Sequence, residues 1–291
     1  MRNFILAARP KTLLAGGIPP IVAYTYFYGR TGENQAFYLT LCILGALFIQ
    51  IATNFFNDVI DHEKGADKKR VGPTRVSASG LVKVETVRIW AYLCVGLGAL
   101  CGLPLILRGG WPFLVLGLIS LYLTYGYTGG KVSLAYRGLG ELFVFLFFGL
   151  FSVMGSYYLF ALHLDFHVFI LASIFGLLAT TFICVNNLRD RETDQDVGKM
   201  TLATKLSPNA YKGLILLTIL LPYLLLHFYR DLPYIHVVFL ALIPAIKLSS
   251  IVMKKQGQEL NEGLKFSGIH LTLFSLLLGL TFTYARLLPG I

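Results

Sequence analysis

Two short stretches hold the acid and amide side chains best placed to do chemistry. NFFNDVIDHEKGAD at 54–67 follows the apolar run AFYLTLCILGALFIQIAT, and NNLRDRETD at 186–194 follows FILASIFGLLATTFICV. On a helix, Asn54, Asn57, Asp58 and Asp61 stand at i, i+3, i+4 and i+7 and share one face. Asn186, Asp190 and Asp194 stand at i, i+4 and i+8, flanked by Asn187 and Arg189. Carboxylates packed this way repel one another unless a cation lies between them. All-oxygen donors without neighbouring Cys or His suit a hard ion, Mg²⁺ or Ca²⁺. Mg²⁺ takes one or two carboxylates and completes its shell with water and phosphate oxygens. Two such half-sites would hold a diphosphate between them. Lys131, Arg189, Lys199, Arg70 and Arg75 are the basic residues available for its remaining charge.

The elements that must position these residues are membrane helices. Of 291 residues, 56% are hydrophobic and only 14% charged, against about 25% charged in a soluble domain. The pattern predicts an all-α polytopic membrane protein, one domain over 1–291, with nine spans in a single bundle around a lipid-accessible cavity. The spans fall near 12–29, 36–57, 86–107, 111–128, 138–162, 166–188, 212–229, 233–252 and 266–287. Gly16, Gly17, Pro19 and Pro20 predict a kink in the first. The four cysteines all lie within spans and lack metal-ligand spacing.

With the N-terminus inside, twenty Lys and Arg fall in inner segments and four in outer ones. This asymmetry predicts a cytoplasmic N-terminus, cytoplasmic acid-rich loops and an outer C-terminus in the inner membrane. It accounts for the net charge of +10 without a nucleic-acid partner. Lys247, inside the eighth span, is expected to snorkel or to meet an acid of the 189–212 loop, and His62 reads as a loop residue. A diphosphate at the inner mouth of an apolar bundle implies a lipid diphosphate. Phe143, Phe145, Phe147, Phe148, Phe151, Tyr157 and Tyr158 are available to line the path of its tail.

The two stretches resemble the paired Asp-rich motifs of the UbiA superfamily of intramembrane prenyltransferases. Asn57, Asp58 and Asp61 match the start of the first, and Asp190 and Asp194 match the second. The chain departs at the last acid of motif one: Gly65 stands there, and the acid follows at Asp67. That ending is similar to the menaquinone branch, the 1,4-dihydroxy-2-naphthoate polyprenyltransferases. So are RPKTL at 9–13, VGPTR at 71–75, GLGE at 138–141 and GLFSVMGSYYL at 149–159.

The resemblance implies Mg²⁺ held by Asp58, Asp61, Asp67, Asp190 and Asp194. It implies a diphosphate element formed by Tyr127 and Lys131, and transfer of a polyprenyl group from its diphosphate to dihydroxynaphthoate with loss of CO₂. Asn54, Asn57, Asn186, Asn187, Arg189 and Lys199 are expected at the substrate. Arg9 or Arg75 is expected at the acceptor carboxylate. Other acceptors of the superfamily (4-hydroxybenzoate, homogentisate, dihydroxy-6-naphthoate) stay open. An ion-coupled transporter is the rival, but acids at the inner span ends beside Lys and Arg suit an anionic headgroup better than a midplane transport site.

Overall fold

The computed structural model describes residues 2–65, 72, 75–130 and 133–287, and every regular element among them is helical. A seven-residue helix, α1 (Arg2–Ala8), precedes α2 (Pro10–Thr31), α3 (Ala36–Glu63), α4 (Val84–Gly109) and α5 (Trp111–Gly126). The next rod is composite: α6 (Gly140–Val144) passes into a π-helix (Phe145–Met154) and then α7 (Gly155–Ala161). After α8 (Phe166–Arg189) come two short helices, α9 (Arg191–Asp196) and α10 (Leu202–Lys205). The last three are α11 (Pro208–Leu225), α12 (Leu242–Lys254) and α13 (Leu260–Ala285).

Seven of the described helices are long and apolar enough to cross a membrane: α3, α4, the α6–α7 rod, α8, α11 with its 3₁₀ extension to Tyr229, α12 with the turn that leads into it, and α13. Two of the nine predicted spans are helical but weaker. Helix α5 has only 16 residues, and α2 dilutes its apolar content with Pro19, Pro20 and three tyrosines. The predicted kink in α2 does not break it, for the helix runs on through both prolines. Gly16 and Gly17 lie at a close helix contact: a Cβ on either would touch Gln50 or Leu47 of α3.

Helix α8 is the centre. In its apolar stretch 78% of residues are buried, against 17% in α3 and α4, so it is apolar on all sides for a reason. The π-helix crosses it at glycines. A Cβ built on Gly149 would lie 2.4 Å from the Gly176 Cα, so the two backbones touch. One core gathers α2, α8, α11, α12 and α13; a smaller one joins α1, α3, α4 and Val76.

Several predicted ends shift. Helix α11 starts at Pro208, because Ser207 caps it with its hydroxyl and Pro fits the first turn. Helix α13 starts at Leu260, which brings Asn261 and Glu262 onto it. Lys247 accordingly meets Glu262, 3.9 Å away, and not an acid of the 189–212 segment. His62 is helical, in the last turn of α3. At the far end of the bundle, Arg30 of α2 pairs at 2.8 Å with Asp165, which caps α8.

Candidate active site

A cavity of about 1030 Å³ opens among α2, α3, α4, α5, the α6–α7 rod and α8. One end is polar: Arg9, Asn54, Asn57, Asp61, Arg75, Tyr127, Asn186, Asn187, Arg189 and Lys199 all line it. The rest is apolar, with Phe113, Leu114, Phe143, Phe147, Phe148 and Phe151 among its walls. Of the other expected aromatics, Tyr157 is buried against Tyr26 and Phe27, Tyr158 stacks on Phe113, and Phe145 packs over Gly176.

The last turns of α3 present the first stretch. Asp61 lies on the cavity and is almost fully enclosed. Arg75 donates to its Oδ2 at 2.5 Å, and Tyr136 donates to its Oδ1 at 3.0 Å. Asp58, expected beside it at a cation, does not line the cavity. Its oxygens accept the backbone N–H groups of Ser77 (2.9 Å) and Val76 (3.2 Å), at 1% exposure. Asp58 thus anchors the loop that carries Arg75. Asn54 has a similar job: its amide donates to the Ala8 carbonyl (2.8 Å) and to the Thr12 hydroxyl (3.2 Å). It pins the α1–α2 junction, where Arg9 takes a left-handed backbone with φ of 54°. Asn57 shares a hydrogen bond with the Thr128 hydroxyl.

The second stretch follows α8. The backbone relaxes at Asp190, yet the helical bonds continue through it, from Asp190 N to Asn186 O (3.0 Å) and from Asp194 N to Asp190 O (2.8 Å). Arg189 forks onto both Asp190 oxygens at 2.7 Å and also reaches Asn186 (2.8 Å) and Asn261 (3.0 Å). Asn187 donates to buried Glu141 at 2.9 Å. Lys199 lies 3.4 Å from Asp194 Oδ1, while Asp194 Oδ2 is buried with no hydrogen-bond partner among the described residues. Burial pushes the Asp194 carboxyl up to about 6; Lys199 opposes that push, and Asp190 and Asp61 add to it.

Tyr136 joins the two stretches. Its ring lies under Lys64 at 3.9 Å and Lys199 at 5.5 Å, while its hydroxyl holds Asp61. Burial and the Asp61 carboxylate push its phenol up, so it stays a donor. Nothing in the motif spacing marks Tyr136 or Asn261, because both reach the site from segments distant in sequence. Tyr127 lines the cavity with its hydroxyl close against Gly140. Lys131, Asp67 and Arg70 lie outside the described residues.

Among the described residues no three His, Cys, Asp or Glu side chains converge as a metal cage. The donors still fit Mg²⁺. The ion needs only one or two carboxylates from each side. Neither Asp190 nor Asp194 lines the cavity, but each pairs with a residue that does, Arg189 and Lys199. Asp194 keeps a buried oxygen with no hydrogen-bond partner among the described residues, and Asp190 keeps lone pairs beyond those that Arg189 and Asn186 engage.

The sequence profile of the UbiA prenyltransferase family matches residues 17–284. The chain belongs to this family. It is a prenyltransferase. A 1,4-dihydroxy-2-naphthoate octaprenyltransferase of Haemophilus influenzae is 36% identical over 228 residues, covering 74% of this chain and 71% of that one. One of Mycobacterium tuberculosis is 32% identical over 279 residues, 94% of each. A UbiA homolog from Archaeoglobus fulgidus, solved bound to GPP and Mg²⁺, superposes with a TM-score of 0.69 over 97% of this chain and 99% of that one. At 16% identity this likeness shows the UbiA fold.

Proposed function

We propose that this UbiA-family enzyme transfers a polyprenyl group from its diphosphate to 1,4-dihydroxy-2-naphthoate, with Mg²⁺ and with loss of CO₂, to give a demethylmenaquinol. The observation that carries the transfer is the polarity of the cavity: cationic groups, amides and the Asp61 carboxylate gather at one end, and an apolar, Phe-lined channel fills the rest. That shape suits a lipid diphosphate. The acceptor rests on the names of the relatives at 32–36% identity.

In this reading Asp61, Asp190 and Asp194, with Asn57 and Asn187, would hold Mg²⁺, and Asp58 supports them by fixing the loop that bears Arg75. Bound there, Mg²⁺ would act as a Lewis acid toward the departing diphosphate. Arg189, Lys199, Tyr127 and Lys131 take up the negative charge that grows on the diphosphate as the allylic C–O bond breaks. The faces of Phe143, Phe147 and Phe148 shield the allylic cation, and their apolar surroundings keep water from capturing it. The electron-rich naphthoate carbon attacks, and its carboxylate leaves as CO₂. Arg9, held in place at the α1–α2 junction on the cavity wall, receives the acceptor carboxylate. Helix α5 packs on α3 and α4 and lines the cavity with Leu114, Leu118 and Leu121, and in this reading the prenyl tail enters from the lipid beside it. The protein sits in the inner membrane with nine spans, α2 and α5 included. Its N-terminus and acid stretches are cytoplasmic and its C-terminus is outside.

The test uses membranes with Mg²⁺, a polyprenyl diphosphate and dihydroxynaphthoate labelled in its carboxylate. The expected result is EDTA-sensitive release of labelled CO₂ together with a prenylated product. Prenylation of a different aromatic acid, without that release, would move the enzyme to another acceptor. No prenylation of any acceptor would overturn the substrate reading.

A further inference from the structure

Glu141 stands at the start of α6, inside the bundle and 5% exposed. It does not line the cavity, yet its neighbour Gly140 and its partner Asn187 do. One oxygen, Oε1, accepts from two donors: Asn187 Nδ2 at 2.9 Å and the Tyr211 hydroxyl at 2.5 Å. The other, Oε2, is buried without a hydrogen-bond partner among the described residues. A carboxylate buried in the first turn of a candidate span is expensive and defaults to a functional reading. If packing were its purpose, an apolar side chain would fill this place at less cost.

The chemistry of the pair sets a direction. Glu141 Oε1 accepts from Asn187 Nδ2, so the NH₂ end of the Asn187 carboxamide is turned toward Glu141. The carboxamide is rigid and planar, so its Oδ1 end then points away from Glu141. We infer that Glu141 is a positioning residue for the cation site, turning the Asn187 carboxamide so that Oδ1 serves the cavity as an oxygen donor. The inference rests on the Mg²⁺-dependent reading above. Tyr211, fully buried on α11, steadies the carboxylate by donating to the same oxygen. The anchor therefore comes from α6 and α11, while the donor it orients is on α8.

The test measures metal binding apart from turnover. Purified protein in detergent is titrated with Mn²⁺ in the presence of inorganic diphosphate, and free Mn²⁺ is read by electron paramagnetic resonance. E141L removes the acceptor and is expected to weaken Mn²⁺ binding about tenfold, in line with loss of a group that orients a metal ligand. E141Q keeps an oxygen acceptor for both donors and is expected to bind within about threefold of wild type. If E141L fails to insert, E141D replaces it: the shorter acid draws away from Asn187 and is expected to weaken Mn²⁺ in the same direction. An E141L or E141D protein that melts at lower temperature but binds Mn²⁺ as wild type does would reduce Glu141 to a structural role and overturn the inference. Equal weakening in E141Q and E141L would overturn it too, because charge and not orientation would then matter. A wild type that binds no Mn²⁺ with diphosphate would overturn the metal reading itself, which separates that failure from this one.

Discussion

At the scale of single residues, the acids of the first stretch divide into one that faces the cavity and one that holds the neighbouring loop still. Asp61 belongs to the first kind and Asp58 to the second, although they are neighbours on one helix face. Asp61→Asn and Asp190→Asn are each expected to lower prenyl transfer by about 100-fold or more, since each removes a carboxylate of the proposed cation site. Protein inserted in the membrane should remain, as immunoblots of washed membranes would show. Asp58→Asn is expected to act mainly on stability. It weakens two buried hydrogen bonds to Val76 and Ser77, at about 1–3 kcal/mol. A lowered melting temperature, with a smaller change in Mg²⁺ dependence than Asp61→Asn shows, is the expected pattern.

Asp194 supplies a pH prediction at the same scale. Its carboxyl is raised to about 6 by burial, so it holds a proton below that pH and is a free carboxylate above it. Metal must displace the proton, so apparent Mg²⁺ affinity is expected to fall as pH falls, by about tenfold between pH 7 and pH 5. Half-saturating Mg²⁺ measured across that range checks it, and a flat profile would remove Asp194 from the cation site.

At the scale of elements, the site depends on how closely the α6–α7 rod approaches α8. Gly149 and Gly176 let the backbones touch. Gly149→Ala is expected to force them apart, because the new methyl meets backbone on Gly176 and Ala172 that cannot swing aside. The cost is about 1–3 kcal/mol, as for overpacking elsewhere, and is read as a fall in melting temperature in detergent. The π-helix follows from the same contact region. Such segments are rare and concentrate at functional sites, and here one carries Phe147, Phe148 and Phe151 to the cavity wall.

At the scale of the whole molecule, the acid stretches lie at one end of the bundle, and the Arg30–Asp165 pair ties the other. The proposed orientation makes the acid end cytoplasmic and leaves the C-terminus outside. A reporter fused to the C-terminus is therefore expected to read as non-cytoplasmic. A cytoplasmic reading would leave an even number of spans and exclude either α2 or α5 from the membrane.

Helix periodicity and charge were enough to read the all-helical membrane class, the approximate span limits and the two acid stretches. Each is a local property: runs of apolar residues need the bilayer, and side chains four apart share a helix face. The helix ends moved where a cap such as Ser207 or a polar first turn such as 260–262 extended the pattern. What tertiary structure alone decided is which side chains of a stripe reach the cavity. Helical spacing places Asp58 and Asp61 side by side, but the backbone N–H groups of Val76 and Ser77 claim the first, while the second lines the cavity with Arg75 and Tyr136 on its oxygens. Tyr136, Glu141 and Asn261 reach the site through contacts spanning 75, 46 and 72 positions. Contacts at that separation depend on how helices pack, and no local pattern encodes them.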